Sequence, residues 1–223
     1  MMNMKNVHIG ILTGILFCVL APAGTFAAKQ LTRNDMLLSA TSPFEDLTEY
    51  ALAANVKGIN LALKEYDAGS VELHRILPVS TRGKLDACIT AIRKAATQGD
   101  KEAIALKSVE VYRLLVESLD TTVLMVPKQV PLLDYAGYRM LALSHAPSKD
   151  WSATKKAAEE AAVNWNIIRQ RVTDQGLRDA LDTAIAGMNR AVIEKNTSMV
   201  VFAAQIELSL VDILEKYFER HSK

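Results

Sequence analysis

The run Leu132-Leu133-Asp134-Tyr135-Ala136-Gly137-Tyr138-Arg139-Met140-Leu141 is where this chain comes nearest to chemistry. At helical spacing Asp134 shares or borders a face with Val130, Leu133, Gly137 and Leu141, and that company draws its carboxylate out of water. A buried carboxylate with no partner is strongly penalised, so something must meet it. Ala136 and Gly137 let a second backbone or a flat ligand come close, and the hydroxyls of Tyr135 and Tyr138 offer hydrogen bonds to whatever arrives. Asp134, Tyr135, Gly137 and Tyr138 are therefore the candidate ligand-binding residues, facing a pocket between helices. The plainer alternative is a helix-packing patch in which Asp134 pairs with an arginine or a tyrosine hydroxyl.

Other chemistries lack their motifs. There is no phosphate-binding loop, no G-x-G-x-x-G after a strand, no G-x-S-x-G and no H-E-x-x-H. His74, His145 and His221 lack a glutamate three positions earlier, so the Glu-x-x-His pairs that hold di-iron centres in bundles are missing. A non-covalent haem or metal carrier is the alternative reading. It would use one of these histidines with Met36, Met140, Met188 or Met199, although methionine in helices more often fills gaps in a core. No Cys-x-x-Cys-His attaches a c-type haem. No nucleophile, base and orienting group appear together, so the chain reads as a non-enzyme, and the cofactor, if any, is unspecified.

The N-terminus supplies an address. Lys5, the apolar run from Ile9 to Leu20 and the small residues from Thr25 to Ala27 form the three parts of a secretory signal, with cleavage expected after Ala27. Ile9 to Ala28 is long enough to be an uncleaved anchor instead, but Pro22 and Gly24 weigh against it. Phe17 before Cys18 is too large for a lipoprotein signal. The expected location is periplasmic or secreted.

Composition narrows the partners. The chain has 26 basic and 25 acidic residues, and losing Lys5 with the signal leaves it formally neutral. The longest basic cluster is Lys155-Lys156, far short of what phosphate neutralisation needs, so nucleic acid is not an expected partner. No apolar run after the signal is expected to cross a membrane, since Val123 to Val126 is short and closed by Pro127. After processing only Cys88 remains, so no disulfide forms within one chain. Its neighbours one turn away, Leu85 and Ile92, make it a small core hydrophobe rather than a reactive thiol.

The elements that must position these groups read as helices throughout. Residues 28–41 are expected to be a flexible start. Ser42-Pro43-Phe44-Glu45 resembles a capping box and opens a long helix with a seam of Leu52, Val56, Ile59, Leu63, Tyr66, Ser70, Leu73 and Leu77. Further helices are expected at 81–98, from Lys101 toward Val126, at 132–144, from Trp151 to Val172 and at 177–193. The last is capped by Asn196 and faces the core with Met199, Ala203, Ile206, Leu210, Ile213 and Tyr217. The i, i+4 pairs Arg82–Asp86 and Arg178–Asp182 read as solvated faces.

A faint repeat links the halves. Arg82, Leu85, Asp86, Ile89 and Ala95 recur 96 positions later as Arg178, Leu181, Asp182, Ile185 and Ala191. No alternating strand pattern competes. The expectation is an all-α, antiparallel helical bundle of about seven helices in a domain at 42–223. Two related three-helix units, 42–126 and 148–220, would be linked by a helix at 131–146. Its function would be exported binding of a protein partner or small ligand, with homo-oligomerisation left open.

Overall fold

The computed structural model describes residues 31–221, and the expected signal at 1–27 lies outside them. The described residues hold nine α-helices, two single turns of 3-10 helix and no strand. The helices are α1 (Arg33–Ser39), α2 (Ser42–Leu52), α3 (Val56–Ile76), α4 (Val79–Gln98), α5 (Lys101–Glu117), α6 (Gln129–His145), α7 (Trp151–Ile168), α8 (Gln175–Ile193) and α9 (Thr197–His221). The all-α bundle class stands.

The expected flexible start is, from residue 33 on, a helix. Thr32 and Asp35 form a reciprocal capping box that satisfies the first amides of α1. Leu37 is fully buried, and the Asn34 amide exchanges two hydrogen bonds with the backbone of Asp120, at 2.8 and 3.0 Å. Arg33 donates to the Ser118 and Ile76 carbonyls. A seven-residue helix is unstable alone, and these tethers to the ends of α3 and α5 hold it.

The long helix expected from Ser42 is broken into α2 and α3. Ala54 takes a left-handed conformation (φ 57°), and Asn55 accepts from the Gly58 amide at 3.0 Å to start α3 afresh. Gly58 is required here because a Cβ would collide with the Tyr50 ring, 2.5 Å from its Cγ. The cap of α2 also shifts. Thr41 stands before the helix, and its hydroxyl donates to the Leu38 carbonyl and to Glu45 rather than accepting from an amide.

The helices gather in two groups with two buried clusters. In the first, α2 packs on α3 and α5, and α4 packs on α5, around Phe44, Leu63, Leu85, Ile104 and Leu115. In the second, α6 packs on α7 and α9, and α8 packs on α7 and α9, around Leu133, Met140, Trp165, Leu181 and Leu214. The helix expected to link the units is thus a member of the second group, and it also touches α5 and α2. Each fully buried leucine contributes about 2 kcal/mol relative to exposure, so the two clusters carry the fold; among the described residues Cys88 is a free thiol.

The 96-residue register recurs in detail. Val79 and Lys101 begin α4 and α5; Gln175 and Thr197, each 96 positions on, begin α8 and α9. Gly99 and Lys195 both turn left-handed at the helix ends, and Asp100 and Asn196 both accept from the amide three residues on, at 3.0 Å. The two Arg–Asp pairs do not form as expected. Arg82 and Arg178 donate to the Leu77 and Val172 carbonyls, Asp86 meets His74 at 3.1 Å, and Asp182 is gripped by Arg169 and the Trp165 indole, the latter at 2.7 Å. Trp165 is therefore a core side chain with its polar tip satisfied.

Candidate functional site

The sequence around Asp134 forms α6, which lies between α2, α5, α7 and α9. Its two polar edges look in different directions. Tyr135 is fully buried and turns toward α5 and α7, where its hydroxyl accepts from Arg139 and, at 3.1 Å, from Arg113. The Arg113 guanidinium lies 4.9 Å from the Tyr135 ring centre and reaches on to Glu117 and Glu160, so this edge is a closed, charge-balanced network. Tyr135 does not join the other three candidates.

Asp134, Gly137 and Tyr138 turn toward α2, α5 and α9, and the carboxylates there are not balanced. The Asp134 carboxylate accepts one long hydrogen bond, 3.4 Å, from the Tyr112 hydroxyl of α5. Tyr138 donates to Glu49 of α2 at 3.0 Å, and its ring tilts against Tyr112 with centres 6.4 Å apart. On the α9 side sits Glu207, fully buried, with neither carboxylate oxygen meeting a hydrogen-bond partner. Gly137 is what admits it. A Cβ at that position would collide with Glu207 Oε2 and lie 2.8 Å from the Leu208 side chain.

Carboxyls line both sides of α6. Glu45, Asp46 and Glu49 come from α2, Asp134 from α6, and Glu207, Asp212 and Glu215 from α9. Exposure grades inward: Asp212 and Glu215 are exposed, Glu45 and Asp134 part-buried, Glu207 closed off. Helices α2 and α9 both touch α6 but make little contact with each other, so their carboxylates stand on either side of the α6 face that carries Asp134, and the groove is this space between α2 and α9.

The charges shift accordingly. Burial, with repulsion from Glu215, Asp46 and Glu49, pushes the Glu45 carboxyl up to about 7 against the opposing hydrogen bond from Thr41. Burial first, then Glu45, Asp212 and Glu215, holds Asp134 well above the usual carboxylate range, against a small opposing pull from Tyr112. Burial, then Asp134, does the same to Glu207. Burial also raises Asp46, and burial with Glu219 and Asp212 raises Glu215, where nearby Lys216 opposes. In all of these groups burial favours the protonated form over the carboxylate.

Metal-ligating groups are dispersed. His74 faces Asp86, His145 Nδ1 lies 2.9 Å from the Leu141 carbonyl, and His221 stacks on Tyr217. Among the described residues no three His, Cys, Asp or Glu side chains gather as a metal set. The Cys88 thiol is pushed up by burial and by Glu110, which disfavours the reactive thiolate.

Sequence reasoning missed Glu207. The inward stripe expected on α9 is out of phase. The buried positions are Val200, Ala203, Ala204, Glu207, Val211, Leu214 and Phe218, while Ile206 and Ile213 are 41% and 52% exposed and Phe202 is 66% exposed. Apolar residues all round the helix hid its phase. The available signal was charge: between Met199 and Leu214 only Glu207 and Asp212 carry any. For the same reason α9, contrary to expectation, is long and apolar enough to cross a membrane, with mean hydropathy 1.6 over its best 18 residues. Core helices also pass that test, and here its inner face packs on α6 and α8.

Fold and site together define an all-α bundle with an acidic groove at α2, α6 and α9. Comparison with models of known protein families, with curated proteins and with solved structures finds no match.

Proposed function

We propose that the protein is exported to the periplasm or beyond and works by binding, taking a small ligand or a partner's side chain in the groove beside Asp134. One observation carries this reading: Glu207 is fully buried with both oxygens unpartnered, packed against Gly137 one turn of α6 from Asp134. A buried polar group normally finds a partner, and one that does not costs stability. Such a group is best explained by a ligand that supplies the missing contact. The acidic residues on α9 run from buried Glu207 to exposed Asp212 and Glu215, so the acidic character reaches the surface.

The test is the mature chain, residues 28–223, purified gently from the exported fraction of its host and examined by native mass spectrometry, absorption and metal analysis. The expected result is a colourless protein, free of stoichiometric metal, carrying a small non-covalent adduct that Asp134→Asn removes while the helical circular dichroism persists. A visible band or one metal per chain would replace this reading with the haem or metal carrier. An adduct unchanged in Asp134→Asn would move binding away from the groove.

A further inference from the structure

We propose that the groove between α2 and α9 binds an organic polycation, a linear alkyl polyamine, with an ammonium group seated between Asp134 and Glu207. This rests on the binding reading above and names its ligand class. Three geometric features select it. The first is sign: Asp134, Glu207 and Glu45 pair with no Lys or Arg among the described residues, and Lys216 opposes the acidic neighbours only at Glu215 on the exposed end. The second is the buried Glu207 carboxylate, a polar group closed off from water that packs against Gly137, one turn of α6 from Asp134, with no hydrogen-bond partner. An ammonium brings three N–H donors, enough to serve both carboxylates.

The third is shape. Glu207 and Glu215 are eight residues apart on α9, about 12 Å along the axis, so acidic groups continue outward from the buried pair. A point cation would satisfy only the inner end, whereas a chain of ammonium groups separated by methylenes matches the whole series. Its hydrocarbon would lie against Leu208 and the Tyr112 and Tyr138 rings, which also attract cations. A chelated metal ion fits less well, because among the described residues no three ligating side chains converge.

Binding exchanges protons for the ligand. In the empty groove burial favours the protonated form of Asp134 and Glu207; to the extent that they hold protons, an entering ammonium breaks those O–H bonds, the protons pass to solvent and the carboxylates accept N–H hydrogen bonds. The groups facing this exchange are Glu45, Asp46 and Glu49 on α2, Tyr112 on α5, Tyr138 on α6, and Asp212, Glu215, Lys216 and Glu219 on α9. Almost all are acidic or neutral, so affinity should rise with pH until the amines themselves deprotonate.

The probes are spermidine, 1,4-diaminobutane and Mg²⁺, titrated calorimetrically into the mature chain at 0.15 M salt and at pH 6, 7 and 8. The expected result is saturable spermidine binding that tightens at least tenfold from pH 6 to pH 8, with heats that vary with the buffer as protons are released. Glu207→Gln and Asp134→Asn should each weaken it at least tenfold, and Glu159→Gln, on the exposed face of α7, should leave it unchanged. Asp212→Asn, exposed and harmless to folding, should weaken it by a smaller factor. Absence of saturable binding, equal displacement by Mg²⁺ at matched ionic strength, or variants that bind like the wild type would overturn the proposal. If spermidine fails while an Asp134-dependent adduct is still present, only the ligand class is wrong; if both fail, the binding reading falls with it.

Discussion

Replacing Glu45 by Gln should change how stability depends on pH by an amount the structure sets. Glu45 is part-buried on α2, and its carboxyl titrates at about 7 in the folded chain against 4.5 for the ordinary group. Between those values the folded state holds a proton that the unfolded chain has released, so stability is greatest below pH 4.5 and falls as pH rises toward 7. At 1.36 kcal/mol per unit, the loss between pH 5 and pH 7 from this one group is about 2 kcal/mol. Glutamine keeps the acceptor that Thr41 uses, at 3.3 Å, and cannot titrate. Urea unfolding at pH 5, 6 and 7 should therefore show the wild type losing about 2 kcal/mol more than Glu45→Gln across that range, equivalent to about 4–8 °C in Tm for a domain of this size. Glu207 adds slope of the same sign to both proteins and cancels in the comparison, whereas Asp134, which Glu45 helps to raise, loses part of its own slope in the variant and widens the difference in the same direction. Parallel pH profiles for the two proteins would refute the argument that α2 and α9 crowd their carboxylates into one groove.

Two further changes probe the inner end. Gly137→Ala places a methyl against Glu207 Oε2 and the Leu208 side chain; despite a helix-propensity gain of about 1 kcal/mol it should lower stability by about 1–3 kcal/mol in urea titration. Combined with Glu207→Ala it should recover about 1 kcal/mol relative to the sum of the single changes, because the two positions share one space. Glu207→Val should raise stability at pH 7 by about 1–3 kcal/mol, since it removes two unpartnered buried oxygens; thermal unfolding reads this directly.

The helices were legible where periodicity and caps agree. Trp151 to Ile168, capped by Asp150, and the start of α9 at Asn196 follow from the sequence because a side-chain oxygen and an apolar stripe point to one answer. The break at Ala54 was not legible, because alanine is a strong helix former and the seam runs unbroken through it; only Asn55, an able cap, hinted at a new start. The N-terminal helix was hidden in the same way, its evidence lying in Thr32 and Asp35 and its stability in partners some 85 residues away. At the site, Asp134 and Gly137 were visible because a carboxylate among hydrocarbons breaks a pattern. Glu207 breaks the same pattern more severely, yet it shifted the inferred stripe by one position, since a reader looking for a hydrophobic face assigns the acid to water.

Comparing α5 with α9 in the 96-residue register shows what Glu207 costs. Ile104 and Val200, Ser108 and Ala204, and Leu115 and Val211 are corresponding pairs, all buried. Val111 and Glu207 correspond as well, and both are fully buried. On the outward side the relation reverses: α5 presents Glu110 and Glu117 to solvent where α9 presents Ile206 and Ile213. At these positions α9 carries its acid inside and its hydrocarbon outside. Val111 demonstrates that a bundle of this kind fills the inner position with hydrocarbon, so the architecture does not demand a carboxylate at 207. On the proposed function, a buried residue that meets no internal partner has its reason in binding. Glu207→Val therefore separates the two roles within one substitution. A structural carboxylate would lose stability and amine binding together, because binding would fall with the fold. A binding carboxylate gives opposite signs, with stability rising and polyamine binding lost, and that opposition is the outcome this groove requires.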